Sequence, residues 1–157
     1  MLGDVWLRMN IKYRKLLDKT RPEGYTFYPL LRIFLRQQMN MQYVLALVDS
    51  GSADCVFPAS VADLLHIDIR AGQRQIFHGF DLSLVQGYIH RVHVQVAGFT
   101  HWAAIDAVFL ESEGMSILGQ RGFFEHYQVI FEQWARQFEV NTRTDAMIRN
   151  RRGYGRR

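Results

Sequence analysis

The chain has 157 residues, one cysteine and a formal net charge of +4. This length is typical of one domain. Residues 1–24 carry six basic and three acidic groups, residues 25–142 seven and eleven, and residues 143–157 six and one. The mildly acidic centre argues against a dedicated nucleic-acid-binding domain, which carries its basic patch on the folded surface.

Residues 1–24 are predicted to form an N-terminal extension. Apolar residues recur there at helical spacing, at Val5, Met9, Tyr13 and Leu16. We therefore expect a short amphipathic helix over Val5 to Leu17, packed on its own domain, or a loosely ordered extension. An interfacial membrane anchor is the alternative. Charged residues interrupt every apolar segment near the start, so we expect no signal peptide and no membrane span.

Residues 25–142 are predicted to form the folded domain, whose edge is marked by the turn residues Thr20 to Gly24. Tyr25 to Leu35 is rich in aromatic and branched residues and is expected to be a strand. The polar segment Arg36 to Asn40 turns the chain into a second strand, Gln42 to Val48.

The second strand ends in a carboxylate. Both faces of the segment from Tyr43 to Val48 are apolar, which predicts a buried strand. Asp49 follows it directly, and a charge at the end of a buried strand requires a hydrogen bond or a partner. Gly51 permits a sharp turn after the acid, and Ser50 offers a short hydroxyl.

Short strands continue beyond this turn. Cys55 is interpreted as a small buried packing residue, with a nucleophile as the alternative, and it excludes an internal disulfide, which favours a reducing, cytoplasmic compartment. Pro58 to Ser60 is predicted to begin a helix over Val61 to Leu65. Arg74 to Val96 reads as two strands joined near residues 79–83.

The last part of the chain completes an all-β pattern. His90 and His93 lie three apart on a strand and so point to opposite faces, which argues against a shared metal ion. Further predicted elements are a strand at Thr100 to Leu110, a helical turn at Arg121 to His126, and a closing hairpin with strands at Gln128 to Phe131 and Gln137 to Val140. Many short strands with one or two short helices predict a single all-β, barrel-like domain.

The tail, residues 143–157, is basic and poor in apolar side chains, so it is predicted to be disordered. Association with RNA or anionic lipid through charge alone is the alternative to a solvated tail without a specific partner. We expect no specific nucleic acid as a partner.

Two segments of the chain resemble the retropepsin-like aspartic proteases, in particular the small bacterial relatives of the retroviral enzymes. They are Leu47-Val48-Asp49-Ser50-Gly51 and Ile117-Leu118-Gly119, which match the family's apolar-apolar-Asp-Ser/Thr-Gly and its later apolar-apolar-Gly. The resemblance covers roughly residues 28–140. It implies a retropepsin-like acid protease barrel that acts on peptide or protein substrates without a cofactor.

The resemblance also implies the site. One chain of this size supplies one Asp-Ser-Gly, so two copies of Asp49 would meet in a homodimer. Such a pair cannot ionise fully and shares a proton. Ser50 would hold the two loops in register and Gly51 would let the substrate backbone approach. The hairpin tip would be a flap whose substrate-binding residues are Phe77, His78, Gly79 and Phe80.

Two features of the chain differ from the family pattern. An Arg–Asp pair common in the retroviral enzymes is replaced by Gln120 and Ala53, and Arg121 and Asp54, each one residue further on, could substitute for it. The flap tip contains a single glycine, Gly79. This second feature supports the alternative function, a catalytically silent, dimeric binding or assembly module.

Overall fold

The computed structural model describes residues 9–78 and 83–142, which consist mainly of β-strands. The all-β prediction is confirmed. Within the described residues there are twelve strands and one α-helix, α1 (Ala59–Leu64). The strands are β1 (Met9–Lys12), β2 (Arg14–Leu17), β3 (Tyr25–Tyr28), β4 (Leu30–Gln37), β5 (Asn40–Val48), β6 (Val56–Phe57), β7 (Gln73–His78), β8 (Leu84–Val96), β9 (Ala103–Leu110), β10 (Ser116–Leu118), β11 (Tyr127–Glu132) and β12 (Gln137–Thr142).

Six strands close into a barrel in the order β4-β5-β10-β6-β9-β8, and the pairing of β4 with β8 completes the ring. The barrel belongs to a compact unit that spans residues 31–123. Its interior is made by alternating apolar residues, as expected of strands with one buried face. At the closing pair, Ile33 and Leu35 lie opposite Val96 and Val94, and all four are fully buried.

The thirteen-residue strand β8 has three partners. Residues 84–89 pair with β7, residues 87–94 with β9, and residues 93–96 with β4. The predicted two-stranded hairpin between Arg74 and Val96 is therefore confirmed, with residues 79–82, which connect its strands, outside the described part of the chain. One end of β8 forms this hairpin and the other end closes the barrel.

The strand before Asp49 lies next to the strand before Gly119. β10 pairs in parallel with β5, with Leu118 opposite Val48, and antiparallel with β6, with Ile117 opposite Val56. The chain leaves β5, crosses the end of β10 through residues 49–55, and returns as β6 on the far side. Parallel strands end at the same edge, so the two segments that carry the family resemblance meet there.

The second compact unit contains the described residues up to Leu30 and from Phe124 onward. It holds a three-stranded sheet in the order β1-β12-β11 and the hairpin β2-β3. The helix predicted over Val5 to Leu17 is wrong for the part that is described, because residues 9–17 form strands. Met9 and Ile11 are half-buried while their neighbours are exposed, a period of two that pairing with β12 favours over the helical spacing.

Two smaller predictions need correction. The strand predicted over Tyr25 to Leu35 is interrupted at Pro29, which has no N–H to donate to a ladder. The turn predicted at Thr20 to Gly24 connects the paired strands β2 and β3. The helical turn predicted at Arg121 to His126 is a series of turns, in which Gly122 has a φ of +99° that a helix does not allow. The division of the chain at residues 24 and 142 stays a prediction.

The Asp18 carboxylate stabilises the hairpin β2-β3 through hydrogen bonds that depend on its ionisation. Its carboxylate accepts hydrogen bonds from the hydroxyls of Thr20 and Thr26, at 2.6 and 2.9 Å, and from the Thr20 N–H. These bonds, the Thr20 hydroxyl first, lower the pKa of Asp18 below its ordinary value of 3.8. The stabilisation is therefore complete above the ordinary value and is lost as the pH falls through the lower folded pKa.

We predict that Asp18→Asn lowers the midpoint of urea unfolding at pH 7, and that the difference from wild type shrinks as the pH falls below 3.8. The matched control is Asp63→Asn, at an exposed position of α1. A difference between wild type and Asp18→Asn that stays constant down to pH 2 would contradict the assignment.

Candidate functional site

Asp49 lies at the end of β5, where the barrel interior gives way to a turn. Val44, Ala46 and Val48 are buried, whereas Leu45 and Leu47 on the other face are half-buried, so the strand is less enclosed than predicted. The Asp49 N–H donates to the Leu118 carbonyl at 3.0 Å. Its Oδ1 accepts the Gly51 N–H at 2.8 Å, an Asx-type turn that fixes the carboxylate beside the loop.

A second loop, residues 119–121, is hydrogen-bonded along the Asp49 loop. The N–H groups of Gln120 and Arg121 donate to the carbonyls of Ser52 and Ala53, both at 2.9 Å. The Gln120 side-chain amide also donates to the Ser50 carbonyl at 2.8 Å. Ser50 and Gly51 are exposed at the surface of this pair of loops.

Gly119 makes the close approach of the two loops possible. A Cβ at this position would overlap the Asp54 carbonyl oxygen and would lie 2.8 Å from that of Ser52. The Gly119 N–H meets the thiol of Cys55 at 3.4 Å, and Cys55 is fully buried. The prediction that Cys55 is a buried packing residue is confirmed, and its sulfur lies against the backbone of the second loop.

An ion pair joins the same two loops. The Arg121 guanidinium lies 2.8 Å from Asp54 Oδ1, so these two residues do pair within one chain, as the sequence suggested. The Asp54 side chain is 13% exposed and that of Arg121 is 62% exposed. Because one partner is largely solvated, the pair adds at most about 1 kcal/mol to stability.

A pocket of about 530 Å³ opens beside Asp49. One side is polar and is formed by the Asp49 loop and the Asp54–Arg121 pair. The other side is apolar: Ile117, Val56 and Val108 form a row across β10, β6 and β9, in register with one another. The remaining apolar lining residues are Phe77, Val85 and Leu110.

The predicted substrate-binding residues are only partly within the described chain. Phe77 lines the pocket, and its role in substrate binding stays a prediction. His78 ends β7 opposite Leu84, and only its backbone is described. Gly79 and Phe80 lie outside the described residues.

Sequence reasoning missed the pocket residues of β9. Ala104 and Asp106 are exposed on one face of this strand, yet Val108, on the same face, is buried. The change from alternating residues to the continuous apolar run from Ala107 to Leu110 was the available signal, because it marks the point where a solvent-facing surface becomes covered.

The two histidines named in the sequence have separate surroundings. The His90 Nε2 lies 2.8 Å from the Ile69 carbonyl, and its ring is edge-on to Phe109. His93 pairs with Ala104 and Arg36 on the neighbouring strands. Over residues 9–78 and 83–142, no three His, Cys, Asp or Glu side chains are grouped closely enough to hold a metal ion.

Comparison with known proteins identifies no relative: no protein-family model matches the chain, and no curated protein is significantly similar to it in sequence. In the described part of the chain, no helix has both the length and the apolar character needed to cross a membrane. The retropepsin-like interpretation therefore depends on the motif residues and the geometry around them.

We predict that Gly119→Ala destabilises the fold by about 2 kcal/mol or more, because the added methyl group meets backbone atoms that cannot turn aside. Gly114→Ala is the matched control, since a Cβ at this exposed glycine meets no atom within 4 Å. Urea unfolding of both variants measures the difference. Equal stability of the two would show that the loops separate easily.

Proposed function

We propose that the chain is a homodimeric, retropepsin-like aspartic endopeptidase. The observation that carries the proposal is the Asp49 carboxylate, which is fixed by the Gly51 N–H at the end of a barrel strand and opens onto a largely apolar pocket. An Asx-type turn alone accounts for the bond from the Gly51 N–H, whereas the pocket beside the carboxylate is what favours a functional role.

The loops around Asp49 support the proposal. The second motif, Ile117-Leu118-Gly119, lies directly beside the first, and Gly119 lets the two loops meet. Phe77 and Val85, one from each strand of the predicted flap, line the same pocket as Asp49. A peptide lying between the hairpin and the Asp49 loop would have apolar walls for its side chains.

Peptide hydrolysis by this route needs two carboxylates, and the lining of the pocket suggests where the second one comes from. Asp54 is the other acid of the pocket, but it is mostly buried and paired with Arg121. We therefore infer that the second acid is Asp49 of another copy, brought in by a twofold axis. The exposure of Ser50 and Gly51 is consistent with such a contact.

The two carboxylates would divide the chemistry between them. Like charges in contact cannot both ionise, so one Asp49 is a carboxylate and the other is protonated. The carboxylate takes a proton from a water molecule, which attacks the peptide carbonyl, while the protonated partner donates a hydrogen bond to the carbonyl oxygen. The C–N bond then breaks as the proton taken from water is delivered to the leaving nitrogen. This releases an amine and a carboxylic acid, restores the Asp49 carboxylate and forms no bond to the enzyme.

The proposal includes a cytoplasmic location, because Cys55 is the single cysteine of the sequence and an internal disulfide cannot form. A loop whose packing uses a reduced thiol is suited to a reducing compartment.

We predict that Asp49→Asn abolishes peptide cleavage and leaves the fold intact, because the amide has the size of the carboxylate but cannot take a proton from water. Wild type, Asp49→Asn and the control Asp63→Asn are each incubated with a randomised peptide library at mildly acidic pH. Mass spectrometry then measures the cleavage products. Equal cleavage by wild type and Asp49→Asn would assign the activity elsewhere. A folded, dimeric wild type that cleaves nothing would favour the binding or assembly module.

We further predict that excess Asp49→Asn protein suppresses wild-type cleavage, since a mixed dimer contains one carboxylate instead of two. The two proteins are mixed at increasing ratios after subunit exchange, and the cleavage rate per wild-type chain is measured. The rate should fall with the fraction of wild-type chains that still find a wild-type partner. A rate per wild-type chain that is independent of the ratio would exclude a site shared between copies.

A further inference from the structure

Gly87 of β8 lies behind the apolar wall of the pocket. A Cβ built on it would lie 2.6 Å from Val108 Cγ1, 3.1 Å from Leu110 Cδ2 and 3.1 Å from Phe77 Cε2. All three side chains line the pocket, whereas Gly87 is buried and does not. Gly87 pairs with Leu110, so a side chain at residue 87 would share the face of the sheet on which these three side chains line the pocket.

Because Gly87 has no side chain, Val108, Leu110 and Phe77 can pack close to its backbone and leave space in the pocket. Gly87 pairs with Gln75 on one side and with Leu110 on the other, so its backbone is held by both neighbouring strands. Val108 is nearly fully buried and has a short, stiff side chain. A methyl group at residue 87 would press against Val108, Leu110 and Phe77, and displacement of these side chains toward the pocket would narrow it.

We propose that Gly87 is a specificity-determining residue, which keeps the pocket deep enough for a large apolar side chain of a peptide next to Asp49. This inference rests on the proposed function for the nature of the ligand, and it concerns the size of the accepted side chain. Gly87 touches no ligand itself and acts through Val108, Leu110 and Phe77. In a pocket of this kind, space for one methylene group changes discrimination between side chains on the order of tenfold or more.

Three variants test the proposal. Gly87→Ala should shift the preference from Phe and Leu toward Val and Ala, on the order of tenfold. Val108→Ala removes the side-chain atom closest to residue 87 and should shift the preference toward the larger side chains, Phe and Leu. In the double variant Gly87→Ala/Val108→Ala the added methyl group has room, so the preference should return toward that of wild type.

Gly114→Ala is the matched control, because it makes the same chemical change at a glycine with open space around it. A pocket role requires Gly87→Ala and Val108→Ala to shift the side-chain preference in opposite directions while Gly114→Ala keeps the wild-type preference. A merely structural role would change only the stability of the variants. If Gly87→Ala fails to fold, the comparison of Val108→Ala with the double variant still tests the proposal. The double variant should prefer large side chains less strongly than Val108→Ala does, and an equal or stronger preference would overturn the proposal.

The same randomised peptide library is used in two ways, so that this inference and the proposed function can fail separately. Cleavage products report the preference if the protein is a peptidase, and peptides retained by the immobilised proteins report it without any chemistry. Cleavage with an unchanged preference in Gly87→Ala overturns this inference alone. Retention that shifts between variants without cleavage by wild type supports it and overturns the proposed function. If folded wild-type protein neither cleaves nor retains any peptide, both the inference and the proposed function are overturned.

Discussion

The hydrogen bonds between two backbone loops are the constraint on which the candidate site depends. Residues 49–53 and 118–121 share a set of bonds in which N–H groups of each loop donate to carbonyls of the other. These bonds form only if the loops touch, and they touch only because residue 119 has no side chain. The position of the loop that carries Asp49 therefore depends on a glycine seventy residues away in sequence.

Both motifs, and the fact that they meet, could be predicted from the sequence. Asp49 follows an apolar strand, Gly119 follows another, and parallel strands end at a common edge. The barrel was predictable as a class, because its strands alternate or are wholly apolar. The closing contact between Ile33 and Val96 was not, since it joins strands far apart in the chain and leaves no local pattern.

The N-terminal strands show why a local pattern can mislead. Met9, Tyr13 and Leu16 fit helical spacing, and Met9, Ile11 and Tyr13 fit strand spacing equally well. Pairing of Met9 to Lys12 with β12 supplies backbone hydrogen bonds that local spacing cannot reveal. The pocket was missed for a related reason: Val108 reads as an ordinary strand residue until it is known to line one pocket together with Phe77 and Ile117, which are distant in sequence.

The sharing of β8 among three strands has a mechanical consequence. Residues 84–86 pair with β7, whereas residues 87–89 are held by β7 and β9 together. The hairpin is thus attached to the barrel where the pairing of β8 with β9 begins. Residues 84–86 make no ladder with β9, so bending of this part of the hairpin breaks no hydrogen bond of the barrel. The point of attachment coincides with Gly87, the residue with the softest backbone of that strand. Residue 87 would then control both the stiffness of the hairpin and the depth of the pocket. A side chain at residue 87 that narrows the pocket would also stiffen the hairpin that lines it.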